Sequence, residues 1–266
     1  MSLASRAVYP TQPGPLRQHL DRLLADAGGR PAGGGAGQPD DLVALVVPDS
    51  NRASGGVAAA AAYARLRGAD LDTVLVISPS HTGAFGRLSI CKTEAYHTPL
   101  GPVRVNDHLR NELCDEDDDI FLDDTGHYHT EGADVQLPFL QAVLGDDAFD
   151  AVPIVMGEES PAFCRELGAA VGEVMYAKRA VVVGSCDLLS GGAAELDRLR
   201  EAIEGFNESE LMHLLASETV RVEGMGALIT TLIAAERRGA TRAEVLVLEP
   251  PSDDAPGALA CALWRA

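Results

Sequence analysis

The chain has 266 residues, of which 46% are hydrophobic, and it carries a formal net charge of −19. This length is sufficient for one large α/β domain, and the negative charge argues against binding to nucleic acid or to an anionic membrane surface. The five cysteines show no Cys-x-x-Cys spacing, and we find neither a signal peptide nor an apolar run of membrane-spanning length, so we expect reduced thiols and a cytoplasmic protein.

The first part of the chain predicts a helix, a loop, a strand and a second helix. Leucines recur at the spacing of one helical face over Pro15–Ala27. The Gly- and Pro-rich segment 28–40 predicts a flexible loop. A valine-rich run that ends at Pro48 predicts a strand, and the alanine-rich segment 55–69 predicts the helix after it.

The rest of the chain continues the alternation of apolar strands and helices. Strands are predicted over Thr73–Ile77, Ala151–Met156, Arg179–Asp187 and, near the end, in "EVLVLEPPS" and "GALACALWRA". Helices are predicted over Pro161–Tyr176, Leu196–Ala216 and Met225–Arg238. Continuous apolar strands between helices favour a three-layer α/β/α sandwich with a mostly parallel central sheet. No linker divides the chain, so we expect a single domain over residues 1–266.

Polar residues follow three of the predicted strands. Asp49 follows the first strand, His81 follows the second, and Ser185, Cys186 and Asp187 follow the run "AVVVG". Ligands of open α/β sheets bind in the crevice beyond the carboxyl ends of the strands, so we expect these residues to share one crevice. No base for a nucleophile is evident near Cys186, and packing at the strand end is the preferred interpretation of that residue.

The segment Gly126–Glu131 contains His127 and His129 in His-x-His spacing. In an extended segment this spacing places both rings on one side, which is frequent in metal sites. A polar loop beside the acidic run Cys114–Asp124 is an equally good interpretation, because no third ligand is evident.

Three stretches carry a resemblance to a known family. They are "YHTPLGPVRVN" (Tyr96–Asn106), "VQLPFLQ" (Val135–Gln141) and the "SPSH" that ends at His81. These stretches resemble sequence blocks of the MEMO family, whose members share the LigB-type fold of class III extradiol dioxygenases. The similarity runs from about Arg6 to the last predicted strand, and it implies the same three-layer fold.

The resemblance also implies a site with altered residues. Asp49 stands where family members usually carry a histidine, His81 keeps the second family histidine, and Glu223 stands where the family has a thiolate ligand. Glu131 stands at another family histidine, and Asp187 is kept. The implied metal ligands are therefore Asp49, His81 and Glu223.

Two interpretations of this ligand set stay open. One histidine and two carboxylates are harder donors than two histidines and a thiolate, and they suit one divalent ion, with iron preferred to manganese, zinc or copper. Alternatively the ligands have been lost, no metal binds, and the carboxylates are polar residues at a loop and a helix start.

The functional predictions follow these interpretations. The first is a metal-dependent oxidoreductase or dioxygenase-like enzyme that acts on a small molecule, with His81, Asp187 and His129 as catalytic residues. A hydrogen bond from His81 to Asp187 would orient the ring and raise its basicity. The alternative is a non-catalytic binding or scaffold protein with a protein partner. A third, metal-free interpretation uses His81 and Asp187 as an acid/base pair. The sequence does not determine the oligomeric state.

Overall fold

The computed structural model describes residues 9–28, 38–50, 53–116, 119–127, 131–252 and 255–265. Its helices, in chain order, are α1 (Pro13–Gly28), α2 (Ala53–Tyr63), α3 (Asp107–Glu116), α4 (Ala133–Leu144), α5 (Pro161–Val174), α6 (Ala193–Glu204), α7 (Glu208–Ala216) and α8 (Met225–Arg237). Its strands are β1 (Leu42–Val47), β2 (Thr73–Pro79), β3 (Leu88–Ile90), β4 (Ala95–Thr98), β5 (Gly101–Arg104), β6 (Ile120–Leu122), β7 (Asp150–Met156), β8 (Ala180–Ser185), β9 (Asp187–Ser190), β10 (Arg221–Glu223), β11 (Ala240–Glu249) and β12 (Ala258–Arg265).

Eight of these strands form one sheet in the order β11-β12-β1-β8-β2-β7-β3-β6. The four central strands β1, β8, β2 and β7 run parallel to one another, and antiparallel strands β12 and β3 flank them. β1, β2 and β8 are buried along their whole length, as their continuous apolar sequences require. The predicted mostly parallel central sheet is confirmed.

Helices cover both faces of the sheet. Successive residues of a strand point to opposite faces, so Val74 and Val76 belong to the core shared with α1, α2 and α4. Leu75 and Ile77 belong to the other core, which α3 and α5 to α8 complete. The predicted α/β/α sandwich is therefore present, and it leaves the carboxyl edge of the central strands open between the two helical layers.

The predicted helix over Leu196–Ala216 is wrong, because this segment forms the two helices α6 and α7. Between them Phe206 has a φ of 50°. The side-chain oxygen of Asn207 accepts a hydrogen bond from the backbone N–H of Glu210 at 3.1 Å, which caps α7. A capping asparagine after a glycine is a signal for a new helix, and the continuing leucine spacing obscured it.

The loop predicted over residues 28–40 lies largely outside the described residues, because 29–37 are not described. Gly28 ends α1, and Pro39–Asp41 form a short 3-10 turn before β1. The prediction of a flexible loop is thus neither confirmed nor contradicted.

None of the helices in the described part of the chain is long and apolar enough to cross a membrane. The five cysteines form no disulfide. Four of them are buried, and Cys114 is partly exposed. The thiols are therefore packed as small apolar side chains, in agreement with the reduced state that was expected.

Candidate functional site

The carboxyl ends of β1, β2 and β8 meet at one edge of the sheet and form the floor of an open cleft of about 300 Å³. β1 stops before Pro48, which has no N–H with which to continue the strand ladder. Asp49, Ser50, His81 and Asp187 line the floor of the cleft. Parallel neighbouring strands thus bring the polar residues that follow them into one place.

His81 stands between carboxylates. Its Nε2 is 2.6 Å from Asp49 Oδ2, and its Nδ1 is 3.2 Å from Glu131 Oε2 and 3.8 Å from Glu223 Oε1. Burial by itself lowers the pKa of His81, but the hydrogen bond to Asp49 and the charges of the three carboxylates raise it to about 9. The ring therefore carries a proton on each nitrogen at neutral pH.

The side chain of Asp49 is 2% exposed and is held by both of its oxygens. The Ser185 hydroxyl donates a hydrogen bond to Oδ1, and Oδ2 faces His81. The backbone N–H of Asp49 lies 3.3 Å from the carbonyl oxygen of Cys186, which ties the loop after β1 to the end of β8. Asp49 is thus fixed before any ligand binds.

Asp187 takes a different position from the one expected. Its Oδ1 accepts hydrogen bonds from the backbone N–H groups of Asp49 at 3.1 Å and Ser50 at 3.4 Å. The expected hydrogen bond between His81 and Asp187 is not formed, because the ring pairs with Asp49 and Asp187 turns toward the backbone of the β1 loop. Burial raises the pKa of Asp187 to about 6, with the charge of Asp49 adding to the rise and hydrogen bonds from Ser50 opposing it.

Glu223 reaches the cleft from the short ladder of β9 and β10, which places it opposite Asp187. The next residue, Gly224, has a φ of 80°, and a Cβ there would lie 2.6 Å from the Ser185 carbonyl oxygen, so this turn requires glycine. Glu159 accepts a hydrogen bond from the Gly226 N–H at 2.9 Å and secures the start of α8. The Glu223 side chain remains 48% exposed.

Glu131 is a residue that the sequence-based ligand set omitted. One ligand atom each of Asp49, His81 and Glu131 lies within 4.8 Å of the others, so these three residues form a group that can hold a metal ion. Glu131 arrives there because Gly132, with a φ of 60°, passes so close to β2 that a Cβ would lie 2.7 Å from Ser78 Oγ. The alignment of Glu131 with a family histidine was the available signal.

The two histidines of the His-x-His pattern are not both described. His127 is 3% exposed, and its Nε2 lies 3.2 Å from the carbonyl oxygen of Ser89. Its ring packs edge-on against Tyr96, and it is not among the residues that line the cleft. His129 lies outside the described residues, so its proposed catalytic role stays a prediction.

Cys186 is completely buried in the core on the α5–α8 side of the sheet. Burial, followed by nearby negative charge, raises the pKa of its thiol well above the usual value. A thiol that stays protonated is a poor nucleophile, and the packing interpretation of Cys186 is therefore correct.

A family model described as "Memo-like protein" matches residues 2–255. A MEMO1 family protein of Saccharolobus islandicus (strain M.14.25 / Kamchatka #1) is 31% identical over 208 residues, which cover 75% of this chain and 73% of the relative. A MEMO1 family protein of Methanobrevibacter smithii is 28% identical over 223 residues, which cover 80% of this chain and 78% of the relative.

The fold is also similar to that of a solved structure, an uncharacterized protein JW3007 from Escherichia coli K12. The TM-score is 0.56 at 13% sequence identity, and the match covers 83% of this chain and 99% of that chain. This similarity concerns the fold alone. The family model and the sequence relatives, which span most of the chain, show that the protein belongs to the Memo family.

Proposed function

We propose that the cleft binds one divalent metal ion through Asp49, His81 and Glu131, and that the protein is a non-haem metal-dependent oxidoreductase for a small molecule. The observation that carries this proposal is the clustering of one ligand atom from each residue within 4.8 Å. Ligand atoms about 2.0–2.2 Å from a common ion lie at most about 4.4 Å from one another, so a small movement of these side chains would bring all three onto one ion.

The donor set fits a hard or borderline ion. One imidazole and two carboxylates suit Fe(II) first and Mn(II) next, whereas a soft ion such as Cu(I) prefers thiolate. Glu223 Oε1, 3.8 Å from His81 Nδ1, is a further oxygen donor within reach. The family resemblance implied Asp49, His81 and Glu223 as ligands. The proposed set differs from it, because Glu131 is added and Glu223 becomes a further donor.

The residues around these ligands have separate tasks. Ser185 holds Asp49 by its Oδ1 and leaves Oδ2 directed at the cleft. Asp187 fixes the backbone that carries Asp49. A bound Fe(II) ion would supply the redox chemistry and a Lewis acid. His81 must first release one proton to the solvent, because a ligand nitrogen has to be unprotonated.

A second candidate function is metal-free binding of a small molecule or a protein partner. The observation in its favour is that His81 already satisfies both ring nitrogens with carboxylates. The raised pKa of about 9 means that an imidazolium is stable there without any metal. In this case the protein keeps the fold and the cleft without redox activity.

We further propose that the protein works in the cytoplasm. The five cysteines form no disulfide, which is usual in a reducing compartment. Their burial protects four of them from oxidation there.

Metal binding by the anaerobically purified chain tests the main proposal. Calorimetric titration with Mn²⁺, and elemental analysis after loading with Fe²⁺, should both give one ion per chain. Asp49→Asn and Glu131→Gln keep the shape of the side chain but remove its charge. Asp49→Asn, at the buried ligand, should weaken metal binding by at least about 100-fold. Glu131→Gln, at the more exposed ligand, should weaken it by about tenfold.

Asp150→Asn is the matched control, because Asp150 lies at the opposite edge of the sheet and pairs with Arg104. This variant should bind metal as the wild type does. Oxygen uptake by the Fe²⁺-loaded chain, with catechol as a probe, then tests the oxidoreductase activity against Asp49→Asn. Absence of stoichiometric metal in every preparation would favour the metal-free candidate.

A further inference from the structure

The described residues that line the cleft carry more negative charge than one metal ion compensates. Asp49, Asp187 and Glu223 line it together with the single imidazolium of His81, and no Lys or Arg is found among the described residues that line it. Three carboxylates thus outnumber the one cation by two charges. Glu131, which also lines the cleft, adds a fourth carboxylate.

Metal binding does not remove this excess. When a divalent ion replaces the imidazolium proton, the same three carboxylates still exceed the positive charge by one. Glu223 is not among the three proposed metal ligands, and its one ion-pair partner within the described part of the chain is His81, at 3.8 Å, so it is the carboxylate left to a second ligand. Its side chain is 48% exposed and faces the open cleft.

Part of the wall of the cleft is apolar. Leu189 is 41% exposed although it is a leucine, and it shares a strand face with Asp187 two residues before it. Pro251 and Pro256 extend this wall. The segment that carries them is tied to β9 by a hydrogen bond of 2.7 Å from the Gly257 N–H to the Leu188 carbonyl oxygen.

We infer that the small molecule that occupies this cleft is a primary ammonium compound with a short hydrocarbon body. The ammonium group binds at Glu223 and Asp187, and the hydrocarbon body covers Leu189 and the two prolines. The inference rests on the proposed function, because it names the substrate class of the same site. A carboxylate or phosphate substrate would be repelled by the same carboxylates before any contact formed.

Three probes with the same hydrocarbon body and different charge test the inference. Phenethylamine is a cation, phenethyl alcohol is neutral and phenylpropanoate is an anion. Titrations of the full chain with each probe, with and without saturating Mn²⁺, should give the order amine, alcohol, carboxylate. We expect at least about tenfold between the first and the last in both series, because the charge excess exists in both states.

Two variants separate the charge from the apolar wall. Glu223→Gln should weaken phenethylamine binding by about fivefold and leave the alcohol unchanged. Leu189→Ala should weaken the amine and the alcohol alike, by about fourfold. Asp147→Asn removes the same charge at the other end of the sheet, outside the cleft, and should change neither.

The outcomes distinguish this inference from the proposed function. If Mn²⁺ binds but the carboxylate binds as well as the amine, the inference is overturned and the metal site stands. If a second Mn²⁺ binds and displaces the amine, the excess charge belongs to another metal ion and the inference again fails. If no Mn²⁺ binds but the amine series keeps its order, the proposed function fails and the charge preference stands.

Discussion

Acidic residues lie at both the amino edge and the carboxyl edge of the central sheet, and their charged neighbours differ between the two edges. At the amino edge Asp72 lies 3.1 Å from Arg179, and Asp150 lies 2.7 Å from Arg104. At the carboxyl edge no Lys or Arg is found among the described residues that line the cleft around His81. Exposed ion pairs add little to stability, so the pairs at the amino edge mainly neutralise charge.

The difference indicates where this strongly acidic chain keeps uncompensated charge. At the amino edge Asp72 and Asp150 each have an arginine partner, which compensates their charge. At the carboxyl edge burial, and then the charge of Asp49, raise the pKa of Asp187, so these neighbouring carboxylates repel each other. A concentration of like charge that is retained despite its cost is typical of functional sites.

The largest expected effect is the pH dependence of metal affinity. His81 has a pKa of about 9 in the metal-free protein, and a ligand nitrogen must lose its proton before it binds a metal ion. The apparent affinity for Mn²⁺ should therefore rise about tenfold per pH unit, or about 100-fold from about pH 6 to about pH 8. Calorimetric titration in a series of buffers measures it.

His81→Gln has no proton to displace, so its weaker binding should be nearly independent of pH in this range. Arg104→Gln, at the amino edge, should keep the wild-type slope. A flat profile in the wild type would show that His81 is not a ligand and would remove the contrast between the edges.

The next effect is on the stability of the metal-free protein. The pKa of His81 is raised from 6.5 to about 9, so its contribution to stability is complete below about pH 6.5 and is lost as the pH rises to about 9. After allowance for partial solvent screening, we expect a loss of about 2 kcal/mol in the free energy of unfolding over this range. Urea denaturation at several pH values measures it.

The difference between the wild type and His81→Gln isolates this contribution, since the buried thiols, whose pKa values burial raises, contribute equally to the pH dependence of both proteins. Asp187 does not interfere, because its pKa of about 6 places its effect at lower pH. Equal pH dependence in both proteins would contradict the assignment of a paired imidazolium to His81.

Ser185→Ala should have a smaller effect. It removes the hydroxyl that donates to the buried Oδ1 of Asp49, and an unsatisfied buried acceptor costs about 1–2 kcal/mol in the free energy of unfolding. Ser252→Ala, on the exposed rim of the same cleft, is the control and should leave stability unchanged. Equal stability of both variants would mean that the hydrogen bond to Asp49 does not hold the site together.

The smallest effect is expected at the amino edge. Arg179→Ala breaks the ion pairs with Asp70 and Asp72, which are exposed to solvent. The loss of stability should be slight and should vanish at about 1 M salt, where the Debye length is about 3 Å. Thermal unfolding at low and high salt measures it, and a large loss that persists in salt would show that the two edges do not differ as described.

The sequence predicted the central strands well. A continuous apolar run such as the one that forms β2 is buried along its whole length when helices cover both faces of the sheet. It missed β3 and β6, which are three residues long and too short for any periodicity. It also predicted that Asp49 and His81 share a crevice, because parallel strands end at the same edge.

The sequence by itself thus determined the layer architecture, the family and the position of His81 at the carboxyl edge of the sheet. Only the tertiary structure decided which carboxylate His81 pairs with and that Glu131 joins the site. The physical reason is that the apolar runs and spacings that define strands and helices depend on neighbours in the chain. The pairing of His81 with Asp49 depends instead on where Ser185 and the turn at Gly132 place side chains far apart in sequence.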